Sequence, residues 1–452
     1  MKRRLIQRLV LPAVMLGAWL CASAQTELQT WSLENCIRHA IDHNIDLKQR
    51  EQELEVRNIE MSTSQNSWLP SLNAGLGQNF DFGRSPSKDG TIIDQTSANS
   101  SAYLQLSMPV FDGFRIPNDI AARRFNFMAA TESLNKAKED LSIGVASYFL
   151  QALYNKEILT IAELQKSLTT EQVKRTEALV EAGKVPLSQL YDIRAQAAKD
   201  EVTLTDARNN VKLALLNLAQ LLELERSGLE FDISVPELDE LMLETVVLSA
   251  PEIIYENALM VKPQIKEQDF LLESRRKTLK VAESSYWPQL NLNMSYSNGY
   301  YRYSGSGISS NIPFGDQLKQ NERKTIGLSL NIPVFNRYQT RNSVRSARVG
   351  IVNQELLAEN VKKTLYKEIQ QAYFNASSAR EKYTAATRSV EAGKEAFSYA
   401  EERYATGKST VFEYNESKTK YAQSLSEQAQ AKFDYIFRKK ILDFYNGETI
   451  SL

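Results

Sequence analysis

The sequence is poor in the side chains that build covalent or metal-held sites: its 452 residues include two cysteines and two histidines. Cys21 lies in a leader in which Lys2, Arg3, Arg4 and Arg8 precede the apolar run Leu9–Leu20 and Ala22-Ser23-Ala24. A basic start, a short apolar run and an A-x-A site make residues 1–24 a secretory signal peptide. Lipidation at Cys21 is disfavoured, because Trp19 and Leu20 are bulkier than the residues lipoprotein signals carry there. Cys36 is then the one thiol of the exported chain, which excludes an intramolecular disulfide. Cys36, His39 and His43 have metal-like spacing, but two imidazoles and a thiol with no further histidine are a thin donor set. We expect no metal. A glycine-rich phosphate loop, a zinc motif and a nucleophile constellation are also missing, so neither an enzyme nor a cofactor is expected. With 54 basic against 55 acidic side chains, nothing points to nucleic acid. No segment after the leader approaches the ~20 apolar residues of a spanning helix. If the mature chain enters a membrane, it does so through strands.

Strands are what the sequence supplies. In Thr325–Phe335, Ile326, Leu328, Leu330, Ile332 and Val334 alternate with Thr325, Gly327, Ser329 and Asn331. Period two gives a strand one apolar and one polar face. An earlier copy, Ala102–Phe111, matches it at Leu104, Leu106, Pro109, Val110 and Phe111. Another alternating stretch precedes each copy. Leu72, Ala74, Leu76, Phe80 and Phe82 alternate with Asn73, Gly75, Gly77, Asn79 and Asp81. Leu290, Leu292, Met294 and Tyr296 alternate with Asn291, Asn293, Ser295 and Ser297. Large apolar residues on one face and small polar ones on the other are the pattern of a transmembrane barrel strand with a wet lumen. The predicted strands cover about 70–82, 102–111, 289–300 and 325–335, with Asn73, Asn79, Asn291, Asn293, Ser329 and Asn331 facing the lumen. Polar loops over Gly83–Ser100 and Tyr301–Lys324 join each pair. Trp31, Trp68, Trp287, Tyr296, Tyr300 and Tyr301 fall near membrane boundaries or strand ends, where interface belts favour such rings. For Trp68 and Trp287 a packed junction between barrel and helices is an equal reading.

The rest of the chain is helical and duplicated. Ser32–Trp68 and Ala250–Trp287 align at an offset of 218, fixed by Pro70 and Pro288. From Pro109/Pro333 to Gly183/Gly407 the offset holds at 224, so the 71-residue runs Asp112–Ala182 and Asn336–Thr406 have neither gained nor lost a residue. The first repeat, 25–248, is assigned helices at about 32–68, 117–182 and 186–226. The second, 249–452, is assigned helices at about 250–286, 337–406 and 410–446. Leu229–Ser249 links them, with a short strand over 229–234. A 71-residue helix would be ~105 Å long. That is too long for a globular core and needs neighbours along its length. A returning helix of ~60 Å stacked on one of ~55 Å matches it, as in the wall of a tunnel.

Gly183-Lys184 and Gly407-Lys408 end the long helices. Pro186 stands where the next helix begins, and Thr410 and Glu413 have capping-box spacing. Four strands per chain are too few to close a barrel, and open edges are not tolerated in lipid. The chain must therefore oligomerise, and the arithmetic admits two copies or three.

The duplicated strand–PVF–long-helix unit, the LPSLN and WPQLN strand starts and the Gly-turn hairpins resemble TolC-family outer-membrane efflux proteins. The resemblance covers nearly all of the mature chain. It implies a homotrimer: a twelve-stranded membrane β-barrel in the outer membrane of a Gram-negative bacterium, continued by a periplasmic α-helical barrel of coiled-coil type. It also implies that the helical tips at Gly183, Lys184, Gly407 and Lys408 dock onto a periplasmic adaptor protein and an inner-membrane pump. Family members often close the entrance with acidic residues just past this turn; Glu413 and Glu416 match those positions, with Gln189 and Asp192 as their equivalents in the first repeat. For Glu413, helix capping is the competing account. The expected function is a passive exit duct for efflux or type I secretion. A structural, envelope-spanning coiled-coil protein without transport is the alternative, and it has no need of four strands with a small polar face.

Overall fold

The computed structural model describes residues 30–86, 90–224, 231–236, 248–305 and 311–451. The leader and Cys21 lie outside the described residues. In chain order the first half has β1 (Thr30–Trp31), α1 (Leu33–His43), α2 (Ile45–Gln65), β2 (Ser71–Pro86), β3 (Ile92–Phe111), α3 (Arg115–Glu181) and α4 (Leu187–Leu221). There follow β4 (Asp232–Ile233), α5 (Pro251–Val261), α6 (Pro263–Ser284), β5 (Gln289–Gly305), α7 (Phe314–Gln320), β6 (Arg323–Asn331), α8 (Gln339–Ala405) and α9 (Val411–Tyr445). The chain divides into two compact units, one of Asp46–Lys138 with Pro251–Ile369 and one of Met1–Ile45, Glu139–Ala250 and Gln370–Leu452. Each draws on both halves of the sequence.

The first of these units holds an antiparallel sheet in the order β2-β3-β5-β6. Leu72, Leu106, Met294 and Ile326 form one cross-strand row, and Asn73, Gln105, Ser295 and Thr325 form the next. The pairing keeps the alternation in register, since a one-residue slip would exchange the two faces. Two expectations are corrected. Among the described residues most of Gly83–Ser100 is strand and not loop: β2 and β3 pair from Ser71↔Ser107 to Pro86↔Ile92, because backbone bonds extend a ladder whatever the side chains. The 325–335 strand ends early, at Asn331, where its partner β5 begins at Gln289. As the sheet's edge, β6 has no second neighbour to hold Ile332–Phe335, whereas Phe111 in the earlier copy pairs Leu290 beyond a bulge.

The constant offset appears in the helices. α3 and α8 are 67 residues each, and α4 and α9 are 35 each. Both long helices start after two residues with positive φ, Gly113 and Phe114 in one copy and Arg337 and Tyr338 in the other. Gly113 is required for a further reason: a Cβ there would lie 2.6 Å from the Ser284 carbonyl oxygen. The segments 32–68 and 250–286, expected as continuous helices, are each broken once. Asn44 (ψ 129°) and Lys262 (ψ 128°) leave the helical region at matching positions. Pro263 at N1 enforces the second break.

The second unit contains the main apolar core. Leu33, Cys36, Phe149, Leu153, Leu218 and Ile233 meet there, and β1 pairs in parallel with β4 above them. Trp31, at the end of β1, packs against this core, edge-on to His39 at 5.0 Å.

Candidate functional site

The sheet presents two chemically opposite faces. Asn73, Asn79, Asn291, Asn293, Ser329 and Asn331 all fall on one face by strand parity. Side chains bond along it: the Ser107 hydroxyl donates to Asn293 Oδ1 (3.1 Å), and Asn293 Nδ2 donates to Ser329 Oγ (3.1 Å). The same face carries Tyr103, whose ring lies over Gly75 where any Cβ would be 2.5 Å away. The inward face was expected to be small and polar, so this ring corrects it. Only the glycine leaves room for it, and the pairing Gly75↔Tyr103 was not legible before the register was known. The opposite face is exposed aliphatic and aromatic surface, with Leu76 89% exposed, Phe82 79% and Ile326 74%. An apolar area of this kind marks contact with lipid or protein.

A second feature was missed in the sequence. β6 pairs β5 only as far as Ser297↔Arg323, which leaves the β5 edge bare from Asn298 onward. Side-chain amides from 311–321 take the place of a strand. The Tyr301 N–H donates to Gln317 Oε1 (2.8 Å), and Gln317 Nε2 donates to the Tyr301 carbonyl (2.8 Å). Asn311 does the same at Tyr303, and Asn321 Nδ2 donates to the Gly299 carbonyl (2.6 Å). The edge's backbone groups are thus satisfied without a strand. Tyr301–Lys324 is therefore only in part a loop.

At the helix turns Gly183 (φ 67°) and Gly407 (φ 71°) adopt the left-handed conformation that ends a helix. The Lys184 N–H donates to the Leu179 carbonyl and Gly183 to Val180; Lys408 to Arg403 and Gly407 to Tyr404 repeat the pattern. These are two Schellman caps with matching connectivity. Pro186 precedes α4 as an extended N-cap residue, one position before its expected place. Beyond the second turn Thr410 and Glu413 form the capping box. The Glu413 N–H donates to Thr410 Oγ1, and Glu413 Oε2 accepts from Thr410 N (3.2 Å) and the Ser409 hydroxyl (2.5 Å). The Ser409 hydroxyl, then the Thr410 N–H, hold the Glu413 carboxyl below its ordinary pKa. Glu416 lies one turn on, exposed, and accepts from Lys420 at 2.7 Å. Leu190, Ile193 and Val411 pack together, which brings the starts of α4 and α9 side by side. Asp192 is exposed on α4, and Gln189 is half-buried.

Further along these helices lies a polar cluster that sequence reading passed over. Lys418 Nζ on α9 is 2.8 Å from Asp200 Oδ2 on α4 and also donates to the Thr169 hydroxyl on α3. Gln196 Nε2 donates to Asp200 Oδ1 at 2.7 Å. The signal available was a Lys and an Asp on the apolar side of amphipathic helices.

His39 and His43 stack at 4.0 Å, with His43 Nδ1 3.0 Å from the His39 carbonyl oxygen. Burial, then the neighbouring His43, lowers the His39 pKa; burial pushes the Cys36 thiol up to about 12. Among the described residues no group of three His, Cys, Asp or Glu side chains is arranged to hold a metal ion.

A sheet apolar on one face and polar on the other, open at both edges and continued by 67-residue helices, defines a channel-forming membrane protein of the strand-and-long-helix class. The family model "Outer membrane efflux protein" matches residues 36–223 and 254–440, and the chain belongs to that family. It is 22% identical to the outer membrane protein TolC of Escherichia coli over 384 residues, 82% of this chain and 73% of TolC. It is 19% identical to the outer membrane efflux protein BepC of Brucella suis, over 83% of this chain and 75% of that one. The solved structure of CusC superposes with a TM-score of 0.74 at 17% identity, covering 95% of this chain and 96% of CusC. The protein is an outer-membrane exit duct whose fold reaches into the periplasm.

Proposed function

We propose that three copies of this chain close a twelve-stranded barrel and form the passive outer-membrane stage of an efflux or secretion assembly. An adaptor protein meets the tips at Gly183, Lys184, Gly407 and Lys408, and an inner-membrane pump supplies the energy. The observation that carries the reading is the four-stranded sheet in which, among the described residues, β2 and β6 are unpaired edges and one face is exposed and apolar. Lipid suits the apolar face, but the open edges are not tolerated there until further strands complete the barrel. Asn73, Asn79, Asn291, Asn293, Ser329 and Asn331 then line a wet lumen, and Glu416, Asp192 and Gln189 lie near the periplasmic entrance, with Glu413 serving both cap and entrance. Cargo identity rests with the pump. Mass photometry in mild detergent is expected to give three protomer masses, and planar-bilayer recordings to give discrete conductance steps. A monodisperse monomer without conductance would overturn the reading in favour of an envelope spacer.

A further inference from the structure

Arg341, Arg345 and Arg348 recur at i, i+4 and i+7 near the start of α8, on one face of the helix. With Tyr286 and Trp287 they surround a cavity of about 680 Å³, to which Val344 is the aliphatic contribution. The three guanidinium groups have no ion-pair partner among the described residues. Glu283, the acid of this cavity, is taken by Lys280 at 2.9 Å. Arg341 instead lies 5.7 Å from the centre of the Tyr338 ring, which packs edge-on against Phe335. Tyr286, Trp287, Phe335 and Tyr338 are all more than half exposed.

The location gives this chemistry a meaning. Trp287 is two residues before β5, and α8 begins eight residues after β6. The cluster therefore sits where the apolar sheet face ends and the helices begin. Helical side chains lean toward the helix N-terminus, here toward the sheet. Exposed Trp and Tyr beside basic residues are the composition of a membrane–water interface. Arginine pairs with phosphate oxygens through a planar fork, which suits it to phosphate recognition. The fold does not demand these charges: the first-repeat equivalents of the three arginines are Pro117, Ala121 and Arg124.

We propose that this cavity binds the phosphate of an anionic phospholipid in the periplasmic-side leaflet. Arg341, Arg345 and Arg348 hold the phosphate oxygens, and Tyr286 and Trp287 lie against the lipid's apolar part. This rests on the sheet being in the membrane as proposed above. The test is native mass spectrometry of the assembled full-length protein, titrated separately with phosphatidylglycerol, phosphatidylcholine and inorganic phosphate. Phosphatidylglycerol is expected to be retained in preference to phosphatidylcholine, and R341Q/R345Q/R348Q to bind it roughly a hundredfold more weakly. The corresponding triple lysine variant keeps the charge, loses the fork and is expected to fall between. Equal retention by wild type and the glutamine variant would overturn the site. Inorganic phosphate binding as tightly as phosphatidylglycerol would overturn the lipid as its ligand. Should the triple variant not assemble, photoreactive phosphatidylglycerol is expected to crosslink the peptide containing Trp287 in the wild type. Crosslinks confined to other peptides, or a trimer structure in which carboxylates of a neighbouring copy cover the arginines, would reject the proposal. Absence of the wild type from outer-membrane fractions would reject the membrane placement itself, which the other outcomes leave standing.

Discussion

Lys418 and Asp200 stand 218 residues apart in sequence and 2.8 Å apart in space, with their side chains 2% and 6% exposed. The pair ties α9, from the second repeat, to α4 of the first, and Thr169 extends the tie to α3. At the 224-residue offset the equivalents of Thr169, Asp200 and Lys418 are Gly393, Ser424 and Arg194. There the helices come close instead, since a Cβ on Gly393 would lie 3.0 Å from Ser424 Oγ, and Arg194 pairs with Glu177 in solvent. The repeats share a backbone and differ in how their helices are joined.

A buried pair of this kind makes asymmetric predictions. Lys418→Met leaves the Asp200 carboxylate buried and unpaired and should destabilise the helical part by ~3–5 kcal/mol. Lys418→Met combined with Asp200→Leu should recover most of that loss, because two apolar groups need no partner. Thermal unfolding followed by circular dichroism measures both. A double variant as unstable as the single one would show that the loss comes from packing and not from charge.

The edge covering by 311–321 can be probed at one side chain. Gln317→Ala removes the partner of the Tyr301 N–H and carbonyl, and a hydrogen bond at a partly exposed edge contributes about 0.5–1.5 kcal/mol. Hydrogen exchange at the Tyr301 amide should accelerate while exchange in the β2–β3 ladder stays unchanged. Unaltered protection at Tyr301 would mean that another group occupies the edge.

The two sheet faces should respond differently to charge. Leu328→Arg and Leu292→Arg place arginine on the apolar face, where a basic residue near the bilayer midplane costs ~2–4 kcal/mol. Assembled protein in outer-membrane fractions should fall. Asn331→Arg on the other face should assemble. Asn293→Arg should assemble less well than Asn331→Arg, since Asn293 bonds both Ser107 and Ser329. Equal assembly of all four variants would mean that the strands do not lie in lipid, and the reverse order that the faces have been exchanged.

How much of this was legible in the sequence follows from what each feature depends on. Strand faces and helix lengths depend on local periodicity and on a constant offset, so both could be read from residues near one another. The Thr410–Glu413 box is equally local. By contrast, Tyr103 over Gly75, Gln317 on the Tyr301 edge and Lys418 on Asp200 depend on register between segments 16 to 218 residues apart. Nothing in the neighbouring sequence specifies such partners. The early end of β6 has the same origin, because a strand's length is set by its neighbours as much as by its own alternation.

The final prediction concerns the entrance. Glu413 is held at the helix start by Thr410 and Ser409, and its depressed pKa gives the sign of its pH dependence. Its stabilising contribution is present above the ordinary carboxyl pKa and is lost as pH falls through the folded-state value. Glu413→Ala should therefore loosen the start of α9 at neutral pH and have little effect in strong acid. Glu416 has no capping role, and its partner Lys420 at 2.7 Å offsets part of its charge. If Glu416 and Asp192 of three copies ring the opening, their field favours cations. Glu416→Ala should then lower cation preference in planar-bilayer recordings, and Lys420→Ala should raise it, with both variants leaving helix content unchanged. Asp192→Asn should act in the direction of Glu416→Ala. Selectivity unchanged in all three would remove the acidic ring from the entrance and leave Glu413 as a helix cap alone.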